Sequence, residues 1–337
     1  MTEPKIPFQE MQQVLETLFQ RYSFTKEQSR LLAKIHTEST MDGVSSHGIN
    51  RVPIFLEYVN KGLVKTEAIA EKVAEMGSME RWDGNLGSGI LNAITCTDRA
   101  INLAKKNGMG MVALRNTNHW MRGGTYGWQA AEKGCISIMF THTMPNMPAW
   151  GGRDNRIGNN PLVIAIPRKE GHVVLDMALS QFSFGKMESL QLKNEQLPFD
   201  GGWDNEDTLS KNPELIRKSG RALPVGYWKG SALSMVLDML ATLLSAGNST
   251  YQIGLKHNET ALSQVFLCID PSSYGDSGLQ EKLLEEIIQY THNVEPMSKG
   301  SKTFYPGERT LSTRSENLKN GIPVNSQIWE KIISLIQ

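Results

Sequence analysis

From about Lys72 onward, short runs rich in β-forming residues alternate with stretches of helical periodicity. That rhythm is what a sheet covered and crossed by helices requires, and it constrains the fold more than any other feature of the chain. The strand candidates are Met109 to Leu114, Ile136 to Thr141, Pro161 to Ile166, Val173 to Met177 and Gln264 to Ile269. Between them, Arg122 to Lys133 reads as a helix closed by Gly134, and Lys229 to Ala246 as a longer one closed by Gly247. The longer helix carries Leu233, Val236, Leu237, Leu240 and Leu244, which its periodicity predicts to be a core stripe. The first sixty residues read as helices: Phe8, Met11, Val14, Leu15, Leu18 and Phe19 recur at helical spacing, and Thr25 with Gln28 forms a capping-box signature. Asn194 to Leu223 is polar and is expected to be an excursion on the surface, and no internal repeat or low-complexity tract interrupts the pattern.

Composition removes several functional classes. With 337 residues, 39% of them hydrophobic, the chain can bury a large core. Lys plus Arg and Asp plus Glu each number 35, so no net field favours nucleic acid, and no such partner is expected. Cys96, Cys135 and Cys268 are odd in number and far apart, which fits neither a disulfide framework nor a zinc site and suits a reducing cytoplasm. The opening MTEPKIPFQEMQ lacks an apolar signal core. The most apolar stretch, Ser231 to Ala246, is broken by Asp238 and is too short for a bilayer, so a soluble protein is expected.

Gly108, Gly110 and Ala113 match G-x-G-x-x-A, but on the wrong side of their strand. The dinucleotide fingerprint needs a strand before it and a helix after it, so that the pyrophosphate meets the helix N-terminus. Here the helical pattern ending KKNG comes first and MVALRN follows, so these glycines read as a helix C-cap and turn. Glycines 84, 87 and 89 read as a loop before a helix. H-E-x-x-H, C-x-x-C, P-loop and G-x-S-x-G motifs are all lacking, which removes support for metallohydrolase and serine-hydrolase chemistry.

Four segments could carry chemistry. SSHGINR places His47 four residues before Arg51, so a helical backbone would put both on one face. Histidine can protonate a carbonyl under reduction while arginine clamps a carboxylate through two parallel hydrogen bonds, although a capping histidine and a surface arginine would look the same. RNTNHWMRGG crowds Asn116, Asn118, His119, Trp120 and Arg122 into a strand-to-helix connection, which suits either a cleft or a satisfied core. Asn159, Asn160 and Asp176 punctuate apolar strands, and the acid needs a ligand or a helix to cap. Trp228 and Lys229 open a helix that could hold a phosphate, or else the lysine merely snorkels at the surface.

The segments SHGINR, ALRNTNHWMRGGTYGWQAAEKG, IGNNPLVIAIP, GYWKGSALSMVLDMLATLLS and YPGER strongly resemble the malate/L-lactate dehydrogenase-like family, which is distinct from the Rossmann-type malate dehydrogenases. Rhythm and resemblance together give an expected three-layer α/β/α fold with a mixed sheet and a helical N-terminal section, not a Rossmann fold. Residues 1–70 are expected to pack with a C-terminal helix over 323–337, leaving 71–322 as the cofactor- and substrate-binding part. The resemblance implies a homodimeric enzyme that uses NADH, with NADP possible, and no metal. His47 would be the proton donor, and His119 would also stand at the active site. It places cofactor contacts on His172, Val173, Val174, Leu175, Asp176, Met177 and Ala178, on Trp228 and Lys229, and on Gly307, Glu308 and Arg309. The expected reaction is hydride transfer to the C2 carbonyl of a small 2,3-diketo acid, with Arg51 on the carboxylate and Asn118, His119 and Asn160 around the substrate. A malate-, lactate- or ureidoglycolate-type dehydrogenase and a non-catalytic sugar-acid binder are the alternatives. Two departures from the family pattern bear on the substrate: Asn159 stands where threonine is usual, and THTMPNMPAWGG differs around His142. The region from Pro271 to Lys302 also diverges.

Overall fold

The computed structural model describes residues 4–192 and 194–336. Seven strands form its main sheet: β1 (Glu71–Met76), β2 (Met79–Asp83), β3 (Met109–Thr117), β4 (Ile136–Thr141), β5 (Leu162–Ile166), β6 (Val173–Met177) and β7 (Leu262–Ile269). Their order is β1-β2-β3-β7-β4-β5-β6. Only β2 and β3 pair in parallel, and all other neighbours are antiparallel. The sheet is therefore mixed, with one helical crossover, α4 (Gly89–Asn107), between the parallel pair.

Side-chain alternation makes the layers. Val112 and Leu114 of β3, Met139 of β4 and Phe266 and Cys268 of β7 face α4 and α5 (Gly124–Glu132), where they meet Cys96, Ala100, Tyr126 and Ala130. The intervening Ala113, Phe140 and Val265 face the other way, against Leu237 and Ala241 of the long helix α8 (Trp228–Ser245). A period of two thus gives helix, sheet and helix as three layers.

The expected stripe on α8 needs correction. Leu233, Val236 and Leu240 are exposed, and of that set only Leu237 is fully buried. The face that packs is Ser231, Ser234, Leu237, Ala241 and Ser245. Small residues at this spacing let α8 lie close to the sheet, while the larger apolar side chains point outward. The segment from Asn194 to Leu223 is also more than an excursion. Three short strands, Gly202–Trp203, Leu209–Ser210 and Arg221–Ala222, form a small sheet beside α7 (Pro213–Ser219), which Asn212 caps. Leu197, Ile216, Ala222 and Leu223 are buried within it.

The N-terminal residues form α1 (Phe8–Arg21), α2 (Lys26–Met41) and α3 (Val52–Asn60), and the Thr25–Gln28 capping box opens α2. Their core side chains cluster with Ile322, Val324 and Ile332, the last on the C-terminal helix Ser326–Ser334. Residues 1–3 and 337 of the two terminal segments lie outside the described residues. Among the described residues, no helix is long and apolar enough to cross a membrane.

Gly108 ends α4 with φ +83°, and Gly110 is the second residue of β3, where a Cβ would lie 2.3 Å from Leu103 Cβ and 2.5 Å from Ala100 O. Gly110 thus packs the strand on the helix that precedes it. Gly110→Ala is expected to lower unfolding stability by about 1–3 kcal/mol through overpacking. The KM for nicotinamide cofactor should stay within about twofold of wild type. A selective loss of cofactor affinity in folded protein would restore a role for the glycines in binding.

Candidate active site

The loop after α2 brings His47 and Arg51 together, though not on one helix. Two 3-10 turns, Ser45–His47 and Ile49–Arg51, flank Gly48. Thr40 Oγ1 accepts from the Ile49 N–H at 2.9 Å, and His36 Nδ1 lies 3.0 Å from Gly48 O, which pins the turn to α2. Ser46 Oγ lies 3.1 Å from His47 Nδ1. Both His47 and Arg51 line a cavity of about 930 Å³.

His119 arrives from the end of β3. Its backbone crosses the start of α4 so closely that a Cβ on Gly89 would lie 2.3 Å from His119 O, and only glycine fits there. The Met121 N–H donates to His119 Nδ1 at 2.9 Å. Nδ1 is therefore the acceptor, and the neutral ring carries its proton on Nε2. The ring lies nearly parallel to His47, with centroids 5.7 Å apart and planes at 25°. Burial pushes the His119 pKa well below its usual value, and Arg51 and His47 push the same way. Burial also lowers the pKa of His47, as do Arg51 and Arg122, but the negative field of Asp176 opposes the shift.

β6 and the start of α11 (Glu308–Asn320) complete the wall. Val174, Leu175, Asp176, Ala178, Gly307 and Arg309 all line the cavity. Gly307, at φ +99°, passes against β6 so tightly that a Cβ would lie 3.1 Å from His172 O. The Val174 N–H donates to Pro306 O at 2.8 Å. Asp176 does cap a neighbouring helix, accepting from the Gly124 N–H at 2.8 Å, yet it still faces the cavity.

Other expected contacts are not brought into this cavity. Asn118 donates to Leu63 O, Leu86 O and Gly87 O and accepts from Thr260 Oγ1. Asn160 donates to Ser234 O and Oγ and accepts from the Thr143 N–H. With both amides buried and fully engaged, they brace the site, which corrects their expected place against substrate. His172 packs beside Trp128, Glu308 accepts from the Tyr305 N–H and meets His292, and neither Val173 nor Met177 lines the cavity. Trp228 and Lys229 stand exposed at the start of α8.

The structure adds groups that sequence reasoning missed. Glu259 lines the cavity with Oε1 3.9 Å from His119 Nε2, and burial raises its pKa against the pull of Arg51 and the Met144 N–H. Because His119 is held neutral, this is no ion pair but an N–H facing a carboxyl group. Behind the site, buried Asp42 accepts from both Arg122 and Arg314. The signal for Glu259 was only a polar stretch before a strand, and nothing marked Asp42 beyond its place at the end of a helix.

The sequence matches the malate/L-lactate dehydrogenase family over residues 6–333. It is 40% identical over 332 residues, 98% of this chain and 100% of the relative, to 2,3-diketo-L-gulonate reductase of Citrobacter koseri. A protein of the same description from Escherichia coli O17:K52:H18 matches at 40% with the same coverage. Malate dehydrogenase from Entamoeba histolytica superimposes with a TM-score of 0.93 over 99% of this chain and 97% of that one, at 23% identity. Sulfolactate dehydrogenase from Methanocaldococcus jannaschii gives 0.88 over 98% and 96%, also at 23%. At that identity the two structures speak for the fold alone. The chain belongs to the malate/L-lactate dehydrogenase family and is an oxidoreductase of that fold.

Proposed function

We propose that the protein reduces the C2 carbonyl of 2,3-diketo-L-gulonate, giving 3-dehydro-L-gulonate, at the expense of NADH. The observation that carries this reading is the meeting of His47, Arg51 and His119 on one cavity with β6 and the start of α11. The full-length likeness to relatives of that description supports the substrate.

A nicotinamide cofactor suits the residues present. The cavity lies at the upper end of the usual range for ligand sites, about 300–1,000 Å³. α11 starts at its wall without a side-chain cap and with Arg309 in its first turn, so a positive helix end and a guanidinium suit a phosphate. Val174 to Ala178 would form the rest of the cofactor's bed, and when bound the cofactor supplies the hydride. Arg51 holds the C1 carboxylate and so fixes which carbonyl faces the reduced ring. His47 in its imidazolium form gives its proton to the carbonyl oxygen, leaving a C2 alcohol. His119 donates a hydrogen bond from Nε2 and keeps the substrate in line.

We also propose a homodimer. The outward face of α8 presents Leu233, Val236, Met239, Leu240 and Leu243, the last 73% exposed, an apolar strip that a second copy would cover. Trp228 and Lys229, the expected cofactor contacts outside the cavity, open the same helix. In this reading residues 1–70 with 323–337 form the helical section and 71–322 the catalytic part. Cys96, Cys135 and Cys268 are buried and free, which suits the reducing cytoplasm.

Mixing protein, 2,3-diketo-L-gulonate and NADH tests the reading: NADH absorbance should fall only when all three are present, with one product molecule per NADH. If oxaloacetate or pyruvate is consumed while the diketo acid is not, the chain is a malate- or lactate-type dehydrogenase.

A further inference from the structure

Around Glu259 the cavity wall is made of Thr143, Asn146 and Asn159, and this corner has a consistent chemistry. Asn146 Nδ2 donates to Asn159 Oδ1 at 2.9 Å, and Thr143 Oγ1 donates to the same oxygen at 3.1 Å. That arrangement leaves Asn146 Oδ1 buried with no partner among the described residues. Glu259 Oε2 accepts from the Met144 N–H at 3.3 Å, while Oε1 has only His119 Nε2 at 3.9 Å, too far for a hydrogen bond. Asn146 and Glu259 both line the cavity, and each carries an oxygen that accepts no hydrogen bond among the described residues; one of the two is an acid.

We infer that Thr143, Asn146, Asn159 and Glu259 form a subsite that holds a hydroxyl-bearing substrate tail and turns away a tail ending in a second carboxylate. The inference rests on the keto-acid reductase reading above and names the feature that sets its substrate class. A tail hydroxyl brings a proton to Glu259 Oε1 and fills an unmet acceptor. A carboxylate tail brings acceptors to acceptors. Arg51, whose charge does reach Glu259, is already engaged by the C1 carboxylate in that reading and so is not free to pair with a second anion. Two carboxyl groups side by side must share a proton or repel, so a dianion pays for entry. The corner is held in place from behind: Thr260 Oγ1 donates to Asn118 Oδ1 at 2.9 Å, joining the segments that carry Glu259 and His119, and the Thr143 N–H donates to Asn160 Oδ1, also at 2.9 Å, beside Asn159.

The test is steady-state kinetics of the full-length protein and Glu259→Gln with NADH and three acids: 2,3-diketo-L-gulonate, oxaloacetate as the dianion, and pyruvate, which lacks a tail. Wild type should prefer the diketo acid to oxaloacetate by roughly a hundredfold or more in kcat/KM, and Glu259→Gln should cut that ratio by about tenfold or more. The change should fall on KM in opposite directions for the two tailed acids, while the KM for pyruvate moves less than about threefold. An unchanged ratio, or an equal loss with all three acids, overturns the subsite. If wild type consumes no reduced nucleotide with any of them, the reductase reading fails separately. The subsite is then judged by quenching of tryptophan fluorescence with L-gulonate and L-malate. A preference for gulonate that narrows in Glu259→Gln upholds it, and equal affinities overturn it.

Discussion

Replacing His47 by asparagine is expected to lower kcat by roughly two to four powers of ten, because the amide keeps a donor of similar size but transfers no proton. The geometry favours His47 over His119 for this task. His119 has its tautomer fixed by the Met121 N–H, and its pKa is pushed well down by burial and by two neighbours of positive character. It can donate a hydrogen bond but holds a second proton poorly. His47 is also shifted down, yet Asp176 pulls the other way, so it is the ring that more readily becomes imidazolium. The sign of the pH dependence follows. Reduction needs the protonated ring, and its pKa lies below the usual 6.5, so kcat/KM for reduction should fall as pH rises through a value below 6.5. Oxidation of the alcohol should rise over the same window. Rate profiles of His47→Asn and His119→Asn separate the two: if His119→Asn removes the pH limb and His47→Asn keeps it, the donor is His119.

The strands and helices that face the core were legible because one period governs each. Val112, Ala113 and Leu114 alternate between two helical layers, and Thr25 with Gln28 caps α2 as their spacing requires. Periodicity failed on α8, where apolar residues run almost all the way round: it marks hydrophobic positions, but whether a helix buries its leucines or its serines depends on how closely the sheet approaches. His47 and Arg51 were legible as a pair within one short motif, while the turns that carry them were not, since Gly48 breaks the helix their spacing suggested. Asn118, in a polar crowd at a strand-to-helix connection, and Asn160, punctuating an apolar strand, looked like substrate groups on those grounds and on the family resemblance. Their partners, Leu63, Leu86 and Ser234, lie far off in sequence and could be found only in the folded chain. Glu259 was hidden for the converse reason: it lies 140 positions after His119 and meets it only through β3 and β7, which pair across Leu262 and Thr117.

Asp42→Asn is expected to cost about 3–5 kcal/mol of stability, as much as truncating a large core side chain although no volume is removed. Asp42 is 5% exposed and accepts from Arg314 Nε at 2.7 Å and Nη2 at 2.8 Å, and also from Arg122, which is 6% exposed. Asparagine preserves the volume but leaves two guanidinium groups against a neutral amide, one of them buried. For a chain of 337 residues that cost corresponds to a fall in Tm of about 4–7 °C. The damage should also reach the cavity. Arg122 Nε stands 4.0 Å from Asp176 Oδ2, and Asp42 lies at the end of α2, just before the turn that carries His47. The KM for NADH should therefore rise in whatever protein folds. Arg314 is partly exposed and rests on the Trp128 ring at 4.9 Å, so Arg314→Gln alone should cost less. Combined with Asp42→Asn it removes one of the two uncompensated charges, and the double variant should be more stable than the sum of the single losses by roughly 1–2 kcal/mol. Thermal unfolding of the four proteins measures that coupling; strict additivity would mean that Asp42 is not the counter-charge holding these arginines in place.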